Sequence, residues 1–137
     1  MIVVGNASRL NQLSRLAASW GSTLYVRLFG NVVAITPDTE SSWFTPPSAP
    51  GLLSQQQILG WRPPILSGDV AILAGLPVAW VRGSGGPPGV VIGYYVVDSS
   101  GVFQWGETNP AGPTYLADAG DIYQVNPVYA LWTQYGG

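Results

Sequence analysis

Residues 89–107 read GVVIGYYVVDSSGVFQWGE and carry the clearest structural signal in this chain. The first half of the stretch is rich in β-branched and aromatic residues, which suit the pleated surface of a sheet. Residues 98–101 (DSSG) combine Asp and Ser, which bond the local backbone, with a Gly that accepts positive φ. Because the strand pattern resumes over residues 102–105, we predict a β-hairpin with a four-residue connection. Side chains alternate along a strand, so Tyr94 and Tyr95 should lie on opposite faces, one lining the core and the other covered by a second element or subunit.

The rest of the chain also has the pattern of short strands. From residue 23 the apolar residues recur with a period of two, and Gly30-Asn31 suggests a hairpin turn into a second strand over residues 32–36. Further short apolar runs, bounded by Gly and Pro, follow at regular spacing. This pattern predicts an all-β antiparallel sandwich or jelly roll of about eight strands.

The N-terminal residues have a different period, which predicts a helix. Asn6 suits the N-cap, Gly21 suits a helix stop, and Leu13 belongs to an apolar face with helical spacing, whereas Arg9 falls among the polar positions. We therefore divide the chain into an N-terminal arm and helix, residues 1–20, and a β domain, residues 21–137. Two interpretations remain open: the helix docks on its own sheet, or it packs on a neighbouring subunit.

Charged residues form only 9% of the chain, and the formal net charge is −2. All five basic residues are Arg, so the basic footprint of a nucleic-acid-binding protein is absent, as is a polybasic patch for anionic lipid. No apolar run approaches the roughly 18 residues of a membrane span. A surface with so little charge must be apolar, rich in Gly and Pro, or covered by neighbours, and exposed apolar surfaces usually mark contacts with a partner protein.

The chain has no Cys and no His, which removes thiolate chemistry, the commonest general base and the commonest metal ligand. We therefore expect no enzyme, no cofactor and no metal site. A hydrolase using Asp69 and Glu107 as paired carboxylates ranks last among the alternatives, because nothing in the sequence places them together. Residues 83–88 (GSGGPP) have the composition of a mobile loop.

Residues 91–107, VIGYYVVDSSGVFQWGE, resemble the VYGYYVxDxxGxLLWAER segment of a family of small tailed-phage virion proteins encoded among head and tail genes. Residues 116–131 (LADAGDIYQVNPVYAL) are similar to the end of that family's pattern, and residues 24–44 (LYVRLFGNVVAITPDTESSWF) to its beginning. The present chain departs from the family at Gly106-Glu107-Thr108, where the pattern has Ala-Glu-Arg.

The resemblance implies a phage structural protein, either a capsid cement (decoration) protein or a tail-associated one. Of these two we expect a cement protein that stabilises the head shell through apolar contacts. Its partner would be the major capsid protein or another virion protein, its assembly a homotrimer, and its location the capsid surface in preference to the tail. Nucleic acid and membrane are not expected partners. The alternatives are a tail-associated protein and a carbohydrate-binding β-sandwich for host attachment.

Buried aromatic side chains dominate the energetics of protein interfaces, so aromatic residues in or beside loops and termini are the interface candidates. They are Trp20, Trp43, Phe44, Trp61 and Tyr135.

Overall fold

The computed structural model describes residues 2–3, 5–132 and 135–136, with side chains described for residues 5–131. One α-helix, near the N-terminus, is followed by short strands joined in antiparallel pairs. The prediction of an all-β antiparallel fold with an N-terminal helix is confirmed, and this composition fits the predicted sandwich class. The strands are shorter and more numerous than the sequence suggested.

The helix α1 spans Asn6–Trp20, and a single 3₁₀ turn spans Ser41–Trp43. The strands are β1 Ile2–Val3, β2 Tyr25–Phe29, β3 Gln56–Gln57, β4 Ile65–Ser67, β5 Val70–Ala74, β6 Val78–Val81, β7 Gly89–Val91, β8 Gly93–Val97, β9 Phe103–Thr108, β10 Thr114–Leu116, β11 Ile122–Val125, β12 Val128–Trp132 and β13 Tyr135–Gly136.

The chain forms two compact units. The first combines Met1–Ser22, Ile58–Pro77 and Asn126–Gly137, and the second combines Thr23–Gln57 and Val78–Val125. The first boundary falls close to the predicted division after residue 20. Nothing in the sequence indicated that Ile58–Pro77 and Asn126–Gly137 also belong to the first unit.

In the first unit, α1 packs on the three-stranded sheet β12-β5-β4. Leu13 of the helix is fully buried against Ala71 and Leu73 of β5, so the apolar face of the helix meets its own sheet. The helix ends where predicted, because Gly21 adopts a φ of 51° and its N–H donates to the Ala17 carbonyl at 2.9 Å. Of the two interpretations of this segment, docking on its own sheet is the one observed.

Arg9 is buried, which corrects its assignment to the polar side of the helix. Its Nη1 donates to the main-chain oxygen of Asp69 at 2.6 Å, and its Nη2 donates to Asn6 Oδ1 at 2.6 Å. The predicted N-cap at Asn6 is wrong: Gly5 is the N-cap, Asn6 is the first residue of the helix, and its side-chain oxygen accepts from Arg9 instead of capping the helix. The long Arg side chain reaches the strands and joins the helix to the sheet by hydrogen bonds.

The second unit contains the predicted hairpin, in the four-stranded sheet β3-β2-β8-β9. Strands β8 and β9 pair antiparallel, and Gly101 in their connection has a φ of 80°. The apolar run that precedes the turn is divided at Ile92: β7 pairs with β10, whereas β8 pairs with β2 and β9. The hairpin prediction is confirmed. The continuous apolar run before the turn, however, supplies strands to two different sheets.

Both faces of β8 are buried, as predicted. On one face Tyr95 and Val97 pack with Phe29 and Phe44 in an aromatic core. Gly93 lies where the sheet is tightest, because a Cβ at this position would stand 2.2 Å from the main-chain oxygen of Glu107. Only glycine fits there without displacing a neighbouring strand.

The predicted hairpin at Gly30-Asn31 is wrong, and residues 32–36 form no strand. Both edges of β2 are occupied, by β3 on one side and β8 on the other. Neither Gly30 nor Asn31 has the positive φ that a tight hairpin turn requires. The Asn31 side chain instead joins two loops, since it donates to the Trp43 carbonyl at 2.9 Å and accepts from the Thr45 N–H at 2.7 Å.

Replacing Asp98 by Ala is expected to lower the free energy of unfolding by about 1 kcal/mol. One carboxylate oxygen of Asp98 accepts the N–H groups of Ser100 at 2.8 Å and Val102 at 3.0 Å, which shapes the turn. Asp98→Asn keeps an acceptor oxygen and should retain most of that stability. Urea unfolding of both variants is the measurement, and an equal loss in Asp98→Asn would show that charge, rather than turn geometry, matters.

Candidate interaction surface

Trp20 and Trp61, two of the interface candidates, lie together in the first unit. Their ring centroids are 5.3 Å apart, and Trp20 meets Tyr129 edge-on at 5.4 Å. The indole N–H of Trp61 donates to the Gly21 carbonyl at 3.1 Å, so Trp61 also holds the end of α1. Both Trp side chains are half-buried, and they combine a packing role with a partly accessible aromatic surface.

Phe44 is a core residue and is no longer a candidate for the interaction surface. Its ring stacks on Tyr95 with centroids 4.0 Å apart and planes 9° apart, and it packs against Phe29 at 4.8 Å. The Pro-rich loop around it is therefore anchored by one aromatic side chain turned inward. The sequence could not distinguish this role from a surface role, because Trp43 and Phe44 are adjacent in the same loop.

Trp43 is the exposed member of that pair, at the end of the 3₁₀ turn. Its main-chain oxygen is held by Asn31, so the backbone that presents its indole is fixed. Tyr135 falls within strand β13, but its side chain lies outside the described residues. Its candidate role stays a prediction.

The most regular apolar surface is one that the sequence did not indicate. Strands β6 and β11 form a two-stranded ribbon in the second unit, in which Val81 pairs with Ile122 and Ala79 pairs with Gln124. These four side chains all face solvent, and we call them the outer ribbon face. Val81 is 56% exposed and Ile122 is 65% exposed.

The opposite side of the ribbon explains why the sequence was ambiguous. Trp80 is buried there, and its indole N–H donates to the Ser54 carbonyl at 2.7 Å. Strand β6 reads Val-Ala-Trp-Val, so apolar residues occupy both faces. Alternation alone identifies two faces of such a strand without showing which of them the core covers.

A smaller apolar surface occurs in the first unit. Leu59 and Leu76 are both exposed and lie on neighbouring segments, because the Leu76 N–H donates to the Gly60 carbonyl at 3.0 Å. Ile65 on β4 is exposed as well. These side chains have no regular strand pairing that would present them as one flat face.

The acidic residues that could support chemistry are dispersed. Among the described residues, no group of three His, Cys, Asp or Glu side chains could hold a metal ion. Glu107 lies on β9 and accepts a hydrogen bond from the Tyr94 hydroxyl at 3.3 Å, whereas Asp69 belongs to the other compact unit. The expectation that the protein is not an enzyme stays a prediction.

Ionisation of Tyr123 should contribute to the loss of folding stability at alkaline pH. Burial raises its pKa above the ordinary value of 10.0 and Glu107 raises it further, although the hydrogen bond to Asn109 opposes them. The folded state therefore holds the phenolic proton more tightly than the unfolded state does. The resulting stabilisation is fully present below pH 10.0 and is lost as pH rises through the higher folded pKa.

The measurement is urea unfolding of the natural chain and of Tyr123→Phe at neutral pH and above pH 10.0. We expect stability to fall less steeply with alkaline pH in Tyr123→Phe. Parallel slopes in the two proteins would show that other groups account for the alkaline loss.

No helix among the described residues is long and apolar enough to cross a membrane. No protein-family model, no curated protein and no solved structure matches the chain.

Proposed function

We propose that this chain is a structural protein of a tailed-phage virion, in the first place a capsid cement protein bound to the head shell. The observation that carries the proposal is the outer ribbon face, where apolar side chains on a regular pair of strands face solvent. Strand pairing fixes the positions of Val81 and Ile122, so a partner would bind them with little loss of backbone freedom. Such a surface suits a permanent contact with another protein.

The distribution of charge supports the same function. With five basic and seven acidic residues in 137, the chain has few groups with which to build an ionic interface. Exposed ion pairs contribute only about 0–1 kcal/mol each, whereas apolar burial contributes roughly 25 cal/mol per Å² before ordering costs are counted. Attachment would therefore depend mainly on apolar contact.

The virion assignment is supported by the resemblance of residues 91–107 to the phage family segment. In this chain the segment forms the strand β8 at the centre of the sheet and the hairpin to β9. The segment thus has a structural role in the second unit.

The direct test is to locate the chain in purified phage particles by mass spectrometry and by labelling with an antibody fragment visible in electron micrographs. Recombinant protein should also bind to shells prepared without it. Labels restricted to the tail would move the assignment from cement protein to tail component. Binding to glycans that is lost on Trp43→Ala and Tyr115→Ala would instead support the carbohydrate-binding alternative, because both aromatic side chains are exposed.

We further propose that the protein acts as a homotrimer. Sedimentation or light scattering on the purified chain should give three times the protomer mass of 14.5 kDa. A monomer in solution would limit trimer formation to the particle surface or exclude it.

A further inference from the structure

An open cleft of about 380 Å³ lies in the second unit, between strand β2 and the loop that contains the 3₁₀ turn. This volume is within the range of small-molecule sites, which combine apolar walls with a few polar groups. The lining residues that matter for binding are Arg27, Ser41, Phe44, Leu53, Gln55 and Tyr95.

Arg27 brings a positive charge to the cleft that no acid of the described chain neutralises. Its Nε donates to Gln55 Oε1 at 3.0 Å, and this is the one hydrogen bond or ion pair that the Arg27 side chain makes with the described residues. Both terminal nitrogens therefore remain available. Asp98, in the hairpin turn, uses a carboxylate oxygen to bind two main-chain N–H groups, and Glu40 lines the adjoining cleft.

Tyr95 lines the same cleft as Arg27. Arg27 and Tyr95 are directly paired across β2 and β8, so their side chains share one face of the sheet. The Tyr95 ring is stacked on Phe44, which fixes its position. Tyr95 is only 5% exposed, so it contributes part of the cleft wall.

We infer that this cleft binds a carboxylate carried on a flat apolar body. The guanidinium fork of Arg27 matches the two oxygens of a carboxylate. One unneutralised cation suits one negative charge. A phosphate monoester carries about −1.5 to −2 at neutral pH and would leave charge uncompensated. The apolar wall of Phe44 and Leu53 accommodates the body of the ligand.

The probe is phenylacetate, titrated into the full chain and followed by changes in its amide NMR signals. We expect a dissociation constant on the order of 1 mM, because a ligand of this size gains little energy per atom. The perturbed signals should cluster on β2, β8 and the 3₁₀ turn. Phenylacetamide has nearly the same shape without the charge and should bind at least tenfold more weakly.

Arg27→Gln should weaken phenylacetate binding by tenfold or more, since hydrogen bonds to charged groups contribute more than neutral ones. Arg62→Gln makes the same change of charge at an exposed position in the first unit and should leave binding unchanged. Leu53→Glu changes an exposed residue that lines the cleft and should weaken phenylacetate binding by tenfold or more, because it adds a negative charge to the site of the ligand carboxylate.

Several results would overturn the inference. Saturable perturbations at these strands that persist unchanged in Arg27→Gln would mean that Arg27 does not bind the carboxylate. Equal binding of phenylacetamide would reduce the site to an apolar one, and tighter binding of phenyl phosphate would change the ligand class. No perturbation at concentrations well above the expected constant would remove the site altogether. The inference does not rest on the proposed function, since phenylacetate binding and attachment to particles are measured separately.

Discussion

Arg82→Met is expected to lower the free energy of unfolding by about 3–5 kcal/mol, because it removes the buried donor to several main-chain carbonyls. Arg82 is only 4% exposed, and its guanidinium donates exclusively to main-chain oxygens. It binds the Leu116 carbonyl at 3.0 Å through Nε and the Pro87 carbonyl at 2.8 Å through Nη2. The carbonyls of Gly83 and Gly86 are further acceptors.

Methionine would fill much of the space but donate nothing. The carbonyls would then lose their partners, and each buried acceptor left unsatisfied costs about 1–3 kcal/mol, reduced where the loop can move and admit water. Residues 84–88 are exposed, so water can reach some of these carbonyls once the guanidinium is removed. The expected loss of stability is therefore smaller than the summed cost of all the unsatisfied acceptors.

Urea unfolding of Arg82→Met beside Arg62→Met provides the measurement, since Arg62 is exposed and should tolerate the change within about 0.5 kcal/mol. The free energy of unfolding of Arg82→Lys should lie between those of the natural chain and of Arg82→Met. The ammonium group of Lys is a single point donor and cannot bind as many acceptors as the planar guanidinium fork of Arg. Proteolysis within residues 83–88 should accelerate in Arg82→Met. A loss below 1 kcal/mol, with the loop still protected, would contradict a clamping role.

Val81→Asp and Ile122→Asp should each weaken attachment to the particle by on the order of 100-fold, while leaving the fold intact. Each change places a charge at the centre of the outer ribbon face, and burying an unpaired carboxylate against an apolar partner is strongly unfavourable. Both side chains are exposed in the free protein, so the free energy of unfolding should change little.

Val32→Asp is the matched control. Val32 is also an exposed valine of the second unit, but it lies in a loop and is not part of the ribbon. The variant should attach like the natural chain. Equal loss of attachment in all three variants would show that net charge, rather than this surface, controls binding.

Attachment of the natural chain should also be nearly independent of salt. Between about 0.1 and 1 M NaCl the Debye length falls from about 10 to 3 Å, which weakens exposed ion pairs and leaves apolar contacts in place. Release at moderate salt, with Val81→Asp still bound, would show that the interface is electrostatic and located elsewhere.

The hairpin of β8 and β9 could be predicted because its information is local. The turn depends on Asp98 and Gly101, whose side-chain chemistry and backbone freedom act within a few residues. The end of α1 at Gly21 is local in the same sense. The low charge and the scarcity of catalytic groups are likewise properties of composition, which no folding step alters.

The roles of Phe44 and Arg9 depended on distant partners and were assigned incorrectly or left open. Phe44 is buried because Phe29 and Tyr95, remote in sequence, form a pocket for its ring. Arg9 is buried because the main-chain oxygens of Asp69 and Leu131 accept its guanidinium. Periodicity assigns an arginine to the solvent side of a helix, and it carries no information about an acceptor sixty residues away.

The GSGGPP loop illustrates the same limit. Its composition indicates a mobile segment, yet its carbonyls converge on Arg82. The pairing of β2 is a second example of this limit. Strand β2 pairs with β3 and β8, which are distant in sequence, and not with the segment that directly follows it. Turns and strand periodicity depend on neighbouring residues and can therefore be predicted from the sequence. Which strand edge is filled, which face of a ribbon is covered and which guanidinium is buried follow from long-range contacts, whose energies exist only once the chain has folded.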